Sequence, residues 1–421
     1  DIRTGLVLSG AAALGAYEAG VARYIHEEVA RSLGRAIRFD VLSGTSAGGI
    51  NAAALASAAP DPGGGAAELC DVWSQLRLSE LVRPSAAELV RLLLDVDAGS
   101  GRVQRALRAR IGRGGLLDPA PLERLVASRL SLGRISDNVS DGWVRAVALS
   151  TTHVATGEAH VFYQASCEHP AWPQAADVVP RLARLSISHA LASAAIPVLF
   201  PPVAIDGDLY CDGGLRQLVP LSPAIHLGAT RLVVVAPLPR GQQATPELAR
   251  SRREAVGSPL YLAGKALNAF FFDRVEADLA RLDQINAILR AGRSCFGPAF
   301  EMDLNDELAR MGAGPIRRIQ VLRIEPSRPL GALAIEHVTS GEFAFQARSA
   351  GSRLIECLAE RDAARSGDLL AYLLFDGGFA ARLVELGRAD AAVHHDELCR
   401  FLAPGDLGQV TGGRSFCATS S

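Results

Sequence analysis

Along the N-terminal half of the chain, apolar residues fall in short continuous runs, each closed by small residues and followed by a stretch of helical periodicity. Gly5-Leu6-Val7-Leu8-Ser9 is the first run, of the kind a strand buried on both faces shows. After the loop Gly10-Ala11-Ala12-Ala13-Leu14-Gly15, the positions Tyr17, Val21, Tyr24, Ile25 and Val29 predict a helix over 16–32. The second run, Phe39-Asp40-Val41-Leu42, passes through Ser43-Gly44-Thr45-Ser46-Ala47-Gly48 into an Ala-rich helix reaching Ala59. Further on, 143–150 and 158–164 predict strands joined by a turn at Thr156-Gly157. Residues 203–210 predict a hairpin turning at Asp206-Gly207, and 231–237 a fully buried strand. Strands alternating with helices predict an α/β fold around a mostly parallel sheet.

The remaining segments are more helical. Pro60 to Gly65 is expected to be a loop, and 66–132 helices broken at Pro84, Gly99–Gly101, Gly112–Gly115 and Pro119-Ala120-Pro121. These helices are either a cap over the site or an outer layer. Asp118 is a good N-cap for the last of them. The Ala-rich stretch 186–195 ends at Pro197. A charged helical stretch then carries Tyr261, Leu267, Phe270, Phe271, Phe272, Val275, Leu279 and Leu282, an apolar face whose commoner use is packing against a neighbouring domain. Residues 318–326 again form a strand pattern. The expected organisation is therefore a core over 1–240, a helical insertion over 241–315, a strand completing the core sheet within 316–334, and a helical C-terminal region over 335–421 with a loose tail.

Composition narrows the function. With 49% hydrophobic and 21% charged residues the chain can bury a sizeable core. A formal charge of −2, a pI near 6.6 and the lack of a long basic run exclude an electrostatic footprint for nucleic acid. The seven cysteines (Cys70, Cys167, Cys211, Cys295, Cys357, Cys399 and Cys417) are scattered and form no C-x-x-C, which fits reduced thiols in the cytoplasm better than disulfides or a zinc site. The adjacent pair His394-His395 reads as polar helix surface. No apolar run is long enough to span a bilayer, and no signal-peptide pattern follows Asp1. A cytoplasmic protein that touches membranes only peripherally is expected.

The chemistry centres on Gly44-Thr45-Ser46-Ala47-Gly48. Between a strand and a helix, G-x-S-x-G is the pattern of a nucleophile elbow, in which a strained turn pushes the serine hydroxyl out of the sheet. In a chain with 41 glycines the motif alone is weak, and it needs a base and an oxyanion site. For a Ser-His-Asp triad the base would come late in the chain, at His226, His337, His394 or His395. Asp212 is the better candidate, since it directly follows a strand and carries Gly213 and Gly214 after it. A carboxylate shielded from water can have a pKa in the working range of a general base. The second copy, Asp376-Gly377-Gly378, is set aside because it lies in a helix-like run over 369–386. The loop Gly10, Ala11 and Ala12 supplies backbone N–H groups for an oxyanion.

These segments, in this order, resemble the patatin-like phospholipases. The likeness extends to Leu116-Leu117-Asp118-Pro119, Thr156-Gly157-Glu158, Ala192-Ser193-Ala194-Ala195-Ile196-Pro197, Phe200-Pro201-Pro202-Val203 and Pro220-Leu221-Ser222-Pro223, and so covers 5 to about 238. The helical tail looks like that of larger bacterial patatin-related proteins. The resemblance implies a three-layer patatin-like fold with a mixed, mostly parallel sheet. It implies a Ser46–Asp212 dyad without histidine, metal or other cofactor, hydrolysing acyl esters of glycerolipids through an acyl-enzyme. The implied partner is a glycerophospholipid or other acyl-ester lipid met at a membrane or micelle surface; a homodimer and a protein activator both stay open. This sequence departs from the family's glycine-rich loop at Ala11, Ala12 and Leu14. A positive φ required at an alanine there would cost about 1 kcal/mol or more. Two rival readings are an α/β-hydrolase-type esterase with a late histidine, and a non-catalytic lipid-sensing or scaffolding relative.

Overall fold

The computed structural model describes residues 2–76, 119–166, 178–197, 199–237, 279–340, 343 and 368–404. Its strands are β1 (Thr4–Leu8), β2 (Val41–Thr45), β3 (Ala146–His153), β4 (Ala159–Ala165), β5 (Val178–Leu182), β6 (Val203–Ile205), β7 (Asp208–Asp212), β8 (Arg231–Val235) and β9 (Gln320–Ile324). Alternate side chains of the central strands enter different cores. Leu6, Leu8, Val233 and Val235 pack into one cluster, while Val7, Leu232 and Val234 pack into the other. Because a strand points successive side chains to opposite faces, these runs demand cover on both sides, and the result is a three-layer α/β fold.

Among the described residues the sheet has nine strands, seven of them in the order β5-β4-β3-β2-β1-β8-β9. Neighbours from β3 through β2, β1 and β8 to β9 are parallel, as are β4 and β5, whereas β3 and β4 are antiparallel. The sheet is therefore mixed and mostly parallel, as expected. The β6–β7 hairpin pairs with β3 through β7. β9 extends the sheet beyond β8, where the pattern at 318–326 placed a strand. β5 had no such signal, because Pro180 interrupts its apolar pattern, and its position at the sheet edge is where a proline is tolerated.

Helices Gly15–Tyr24, Ala47–Ser57, Pro62–Ser74 and Gly377–Val393 share the larger core. The first continues through a π-helical turn at Ile25–Val29 and a last turn at Ala30–Leu33, ending where Gly34 adopts φ 64°. Two expectations are corrected. Pro60–Gly65 is not all loop: Asp61 caps a helix that starts at Pro62, accepting from the Gly64 N–H at 3.1 Å, with proline at the first helical position. Asp376-Gly377-Gly378 does not lie inside a helix either. It starts one, with Asp376 as N-cap to the Phe379 N–H at 3.0 Å.

Helix Gly377–Val393 packs against Gly15–Tyr24 with backbones in close approach: a Cβ on Gly20 would strike the Val384 carbonyl, and one on Gly387 the Tyr17 carbonyl. Tyr17 donates to Asp390 Oδ2 at 3.0 Å across this contact. The C-terminal helices thus back the segment that follows β1. The opposite face is covered by helix Leu221–His226 and by the helical stretch 279–296, through Leu282. The expected breaks at Pro84, Gly99–Gly101 and Gly112–Gly115, the cap at Asp118, the apolar face from Tyr261 to Val275 and the tail beyond 404 lie outside the described residues.

Candidate active site

β3 is the template that brings the predicted residues together. β2 pairs along β3 until Thr45 stands opposite Ser150, and there the chain turns away at Ser46. β7 takes over at the next position, with Asp212 opposite Thr151. Ser46 thus leaves the sheet where Asp212 ends β7, although they are 166 positions apart in sequence (46 to 212). The β1 loop lies beside them because β1 is the other neighbour of β2. Ligand sites of open α/β sheets lie at such carboxyl ends of parallel strands.

Ser46 has φ 56° and ψ −128°, an uncommon conformation for a residue with a side chain. The turn is held by close approaches that only glycine permits. A Cβ on Gly44 would collide with the Gly48 carbonyl, and one on Gly48 with the carbonyls of Leu8 and Ser9. The Ser46 N–H donates to Ser193 Oγ at 2.9 Å, and Ser193 donates in turn to the Ser150 carbonyl at 2.7 Å. Ser193 is fully buried and ties the elbow to β3 from helix Ile187–Ser193. Its motif was quoted in the sequence, but no local pattern marks that role.

Asp212 is 1% exposed. Its Oδ1 accepts from the Gly214 N–H at 2.7 Å, whereas Oδ2 is buried without a hydrogen bond of ordinary geometry. Burial pushes the carboxyl up to about 7, against the lowering effects of the Ser46 hydroxyl and the Gly214 N–H. The Ser46 hydroxyl lies close enough to Asp212 to lower its proton affinity, although no hydrogen bond of ordinary geometry joins the two. Gly213 is needed where β7 closes on β3, because a Cβ there would strike the Ser150 carbonyl.

The loop after β1 is more specific than the sequence suggested. Gly10 donates its N–H to the Leu218 carbonyl at 2.9 Å, so that donor is already engaged. Ala11 has φ −145°, and Ala12 takes the positive φ of 48°. Among the described residues the N–H groups of Ala11 and Ala12 have no backbone acceptor. A buried network supports the loop from below. Glu18 Oε1 accepts from Ser9 Oγ at 3.3 Å and Oε2 from Asn51 Nδ2 at 2.9 Å, while Asn51 Oδ1 accepts from Trp73 Nε1 at 2.9 Å. Burial raises the Glu18 carboxyl well above its ordinary range. Nothing in the local sequence marks this network, because its members come from different helices.

Ser46 opens into a cavity of about 40 Å³ with apolar walls that include Ala12, Ile50, Val72, Trp73, Val126 and Phe375. A wider space of about 250 Å³, with Glu123 and Ser188 at its walls, shares Leu122, Ala194 and Phe200 with it. The four late histidines are engaged elsewhere. His226 is bonded to Ser222, His337 to Asp376 at 2.8 Å, His394 to Glu397, and His395 to Tyr24 and Ser32. Cys70 and Cys211 are buried free thiols, Cys399 is half-buried and Cys295 exposed; Cys167, Cys357 and Cys417 lie outside the described residues. Among the described residues no helix is long and apolar enough to cross a membrane.

Comparison with known proteins adds family information. The sequence profile described as patatin-like phospholipase matches residues 6–225. The crystal structure of VipD from Legionella pneumophila is similar at 16% identity, over 63% of this chain and 55% of that chain, with a TM-score of 0.32. The chain thus spans little more than half of that relative's length. No curated protein matches it in sequence.

Proposed function

Because the chain belongs to the patatin-like phospholipase family, we propose that it is a lipid acyl hydrolase in which Ser46 and Asp212 form the catalytic dyad. The observation that carries this reading is the state of Asp212. It is a buried carboxyl with one oxygen held by Gly214, the other without a partner, and a proton affinity raised to about 7 beside the elbow serine. A group of that affinity can take the serine proton and return it near neutral pH.

In this mechanism Ser46 Oγ attacks the ester carbonyl carbon as Asp212 Oδ2 takes its proton. The negative oxygen that forms is held by the N–H groups of Ala11 and Ala12, with the N-terminal N–H groups of helix Ala47–Ser57 adding positive potential. Asp212 then protonates the departing alcohol as the C–O bond breaks, leaving an acyl-enzyme on Ser46. Water attacks the acyl carbonyl, gives its proton to Asp212, and the proton returns to Ser46 as the fatty acid leaves. The apolar lining of the cavity suits the first carbons of an acyl chain, and the wider space carrying Glu123 and Ser188 suits the glycerol side. The substrate is a glycerophospholipid or related acyl ester reached at a membrane or micelle surface.

Labelling with a fluorophosphonate, read by mass spectrometry, tests the nucleophile. Modification confined to Ser46 is expected. A folded protein that leaves Ser46 unmodified favours the non-catalytic lipid-sensing reading.

A further inference from the structure

The turn between β3 and β4 and the neighbouring end of β7 bring together side chains that the hydrolytic site does not use. His153 ends β3, His160 lies near the start of β4, and Glu158 sits between them. Each offers a ligand atom, and these atoms lie within 4.8 Å of one another. Glu158 Oε2 is 3.7 Å from His160 Nε2, and Asp208 Oδ1, from the start of β7, is 3.7 Å from His153 Nε2. We propose that His153, Glu158 and His160 form a binding site for one divalent ion of the zinc class, with Asp208 as a further oxygen ligand.

The chemistry of the donors selects the ion. Two imidazoles and carboxylate oxygens are a borderline set, suited to zinc and its neighbours rather than to calcium or magnesium. Ligand atoms of a tetrahedral zinc site stand about 3.4 Å apart, so the separations within the triad, at most 4.8 Å, would shorten by side-chain rotation as the ion binds. The two rings lie face to face, with centroids 4.9 Å apart and 14° between planes, so at least one ring must rotate for both to aim a nitrogen at the same ion.

A second, independent feature points to a ligand. His160 is 2% exposed, and its Nδ1 has no hydrogen-bond partner among the described residues. Its Nε2, at 3.7 Å from Glu158, is beyond hydrogen-bonding distance as well. Buried polar groups are nearly always paired, and Nδ1 is the buried nitrogen of His160 left without a partner, so a ring turned to aim Nδ1 at the ion would satisfy it. The ion would fasten the β3–β4 turn to the β6–β7 hairpin, near the end of β7 opposite Asp212.

The test is zinc binding by untagged full-length protein stripped with a chelator, measured by calorimetry and by competition with a chromophoric chelator. One equivalent is expected, and cobalt in place of zinc should give the visible absorption of a four-coordinate site. Glu158→Gln, at an exposed position, and His153→Ala should each weaken binding by about tenfold or more. The double variant His394→Ala/His395→Ala, at the chain's other histidine pair, should leave it unchanged. Absence of binding, or binding unaffected by Glu158→Gln and His153→Ala, overturns the proposal. Neither outcome bears on the Ser46–Asp212 reading.

Discussion

The Ser193 hydroxyl accepts a hydrogen bond from the backbone N–H of Ser46 at 2.9 Å and donates one to the Ser150 carbonyl at 2.7 Å. A strained turn is thereby braced to the strand along which Ser46 and Asp212 are brought together. Ser193→Ala leaves both the Ser46 N–H and the Ser150 carbonyl buried and short of a partner, at a cost of about 1–3 kcal/mol. Urea unfolding should show this loss. The kcat of the folded variant should fall as well, because the orientation of Ser46 depends on the bond.

Asp212 makes stability and activity move oppositely with pH. Its carboxyl goes from an ordinary 3.8 to about 7 in the folded chain, so the folded state binds the proton more tightly than the unfolded one. That contribution to stability is whole below about pH 4 and is lost as pH rises through 7. At pH 8 Asp212→Asn should be more stable than wild type by roughly 2–4 kcal/mol, an advantage that vanishes near pH 4. Hydrolysis should rise through pH 7 as the base ionises, falling about tenfold per unit on the acid side. Denaturation at the two pH values and a kcat/KM profile check both signs.

Ala12 holds φ 48° in the loop assigned to the oxyanion. Glycine adopts that conformation freely but loses more entropy on folding, so Ala12→Gly should stabilise by up to about 1 kcal/mol with activity retained. A chemical denaturation midpoint measures it. A fall in stability would mean that the alanine methyl contributes packing that outweighs the strain.

Phe375 brings the C-terminal region into the cavity beside Ser46, from outside the stretch that matches the family. Phe375→Leu enlarges that wall and should shift relative kcat/KM toward longer acyl chains by about tenfold. Release rates across a series of esters of increasing chain length are the readout. An unchanged profile would place the acyl chain elsewhere.

The elbow was legible in the sequence because its chemistry is local. A strand, two glycines around a serine and an Ala-rich helix state the turn without help from the rest of the chain. Asp212 was legible for the same reason, as a strand-end aspartate followed by glycines. What stayed hidden was non-local. The succession of Thr45 and Asp212 along β3 depends on strand register, and the Glu18–Asn51–Trp73 network on how helices pack. Gly10 looked equivalent to Ala11 and Ala12 until the Leu218 carbonyl, more than 200 residues away (10 to 218), took its N–H. The Pro62 helix was hidden by its glycines, whose low propensity was outweighed by the Asp61 cap and by the burial of Leu69, Val72 and Trp73.

The measurement of greatest consequence is fatty-acid release from mixed phospholipid micelles by wild type, Ser46→Ala and Asp212→Asn, each checked for intact folding by circular dichroism. Release by wild type and loss of at least about a thousandfold in both variants is the predicted result. Equal release by Asp212→Asn and wild type would contradict the dyad, and no release by folded wild type on any phospholipid or short ester would contradict the hydrolase itself.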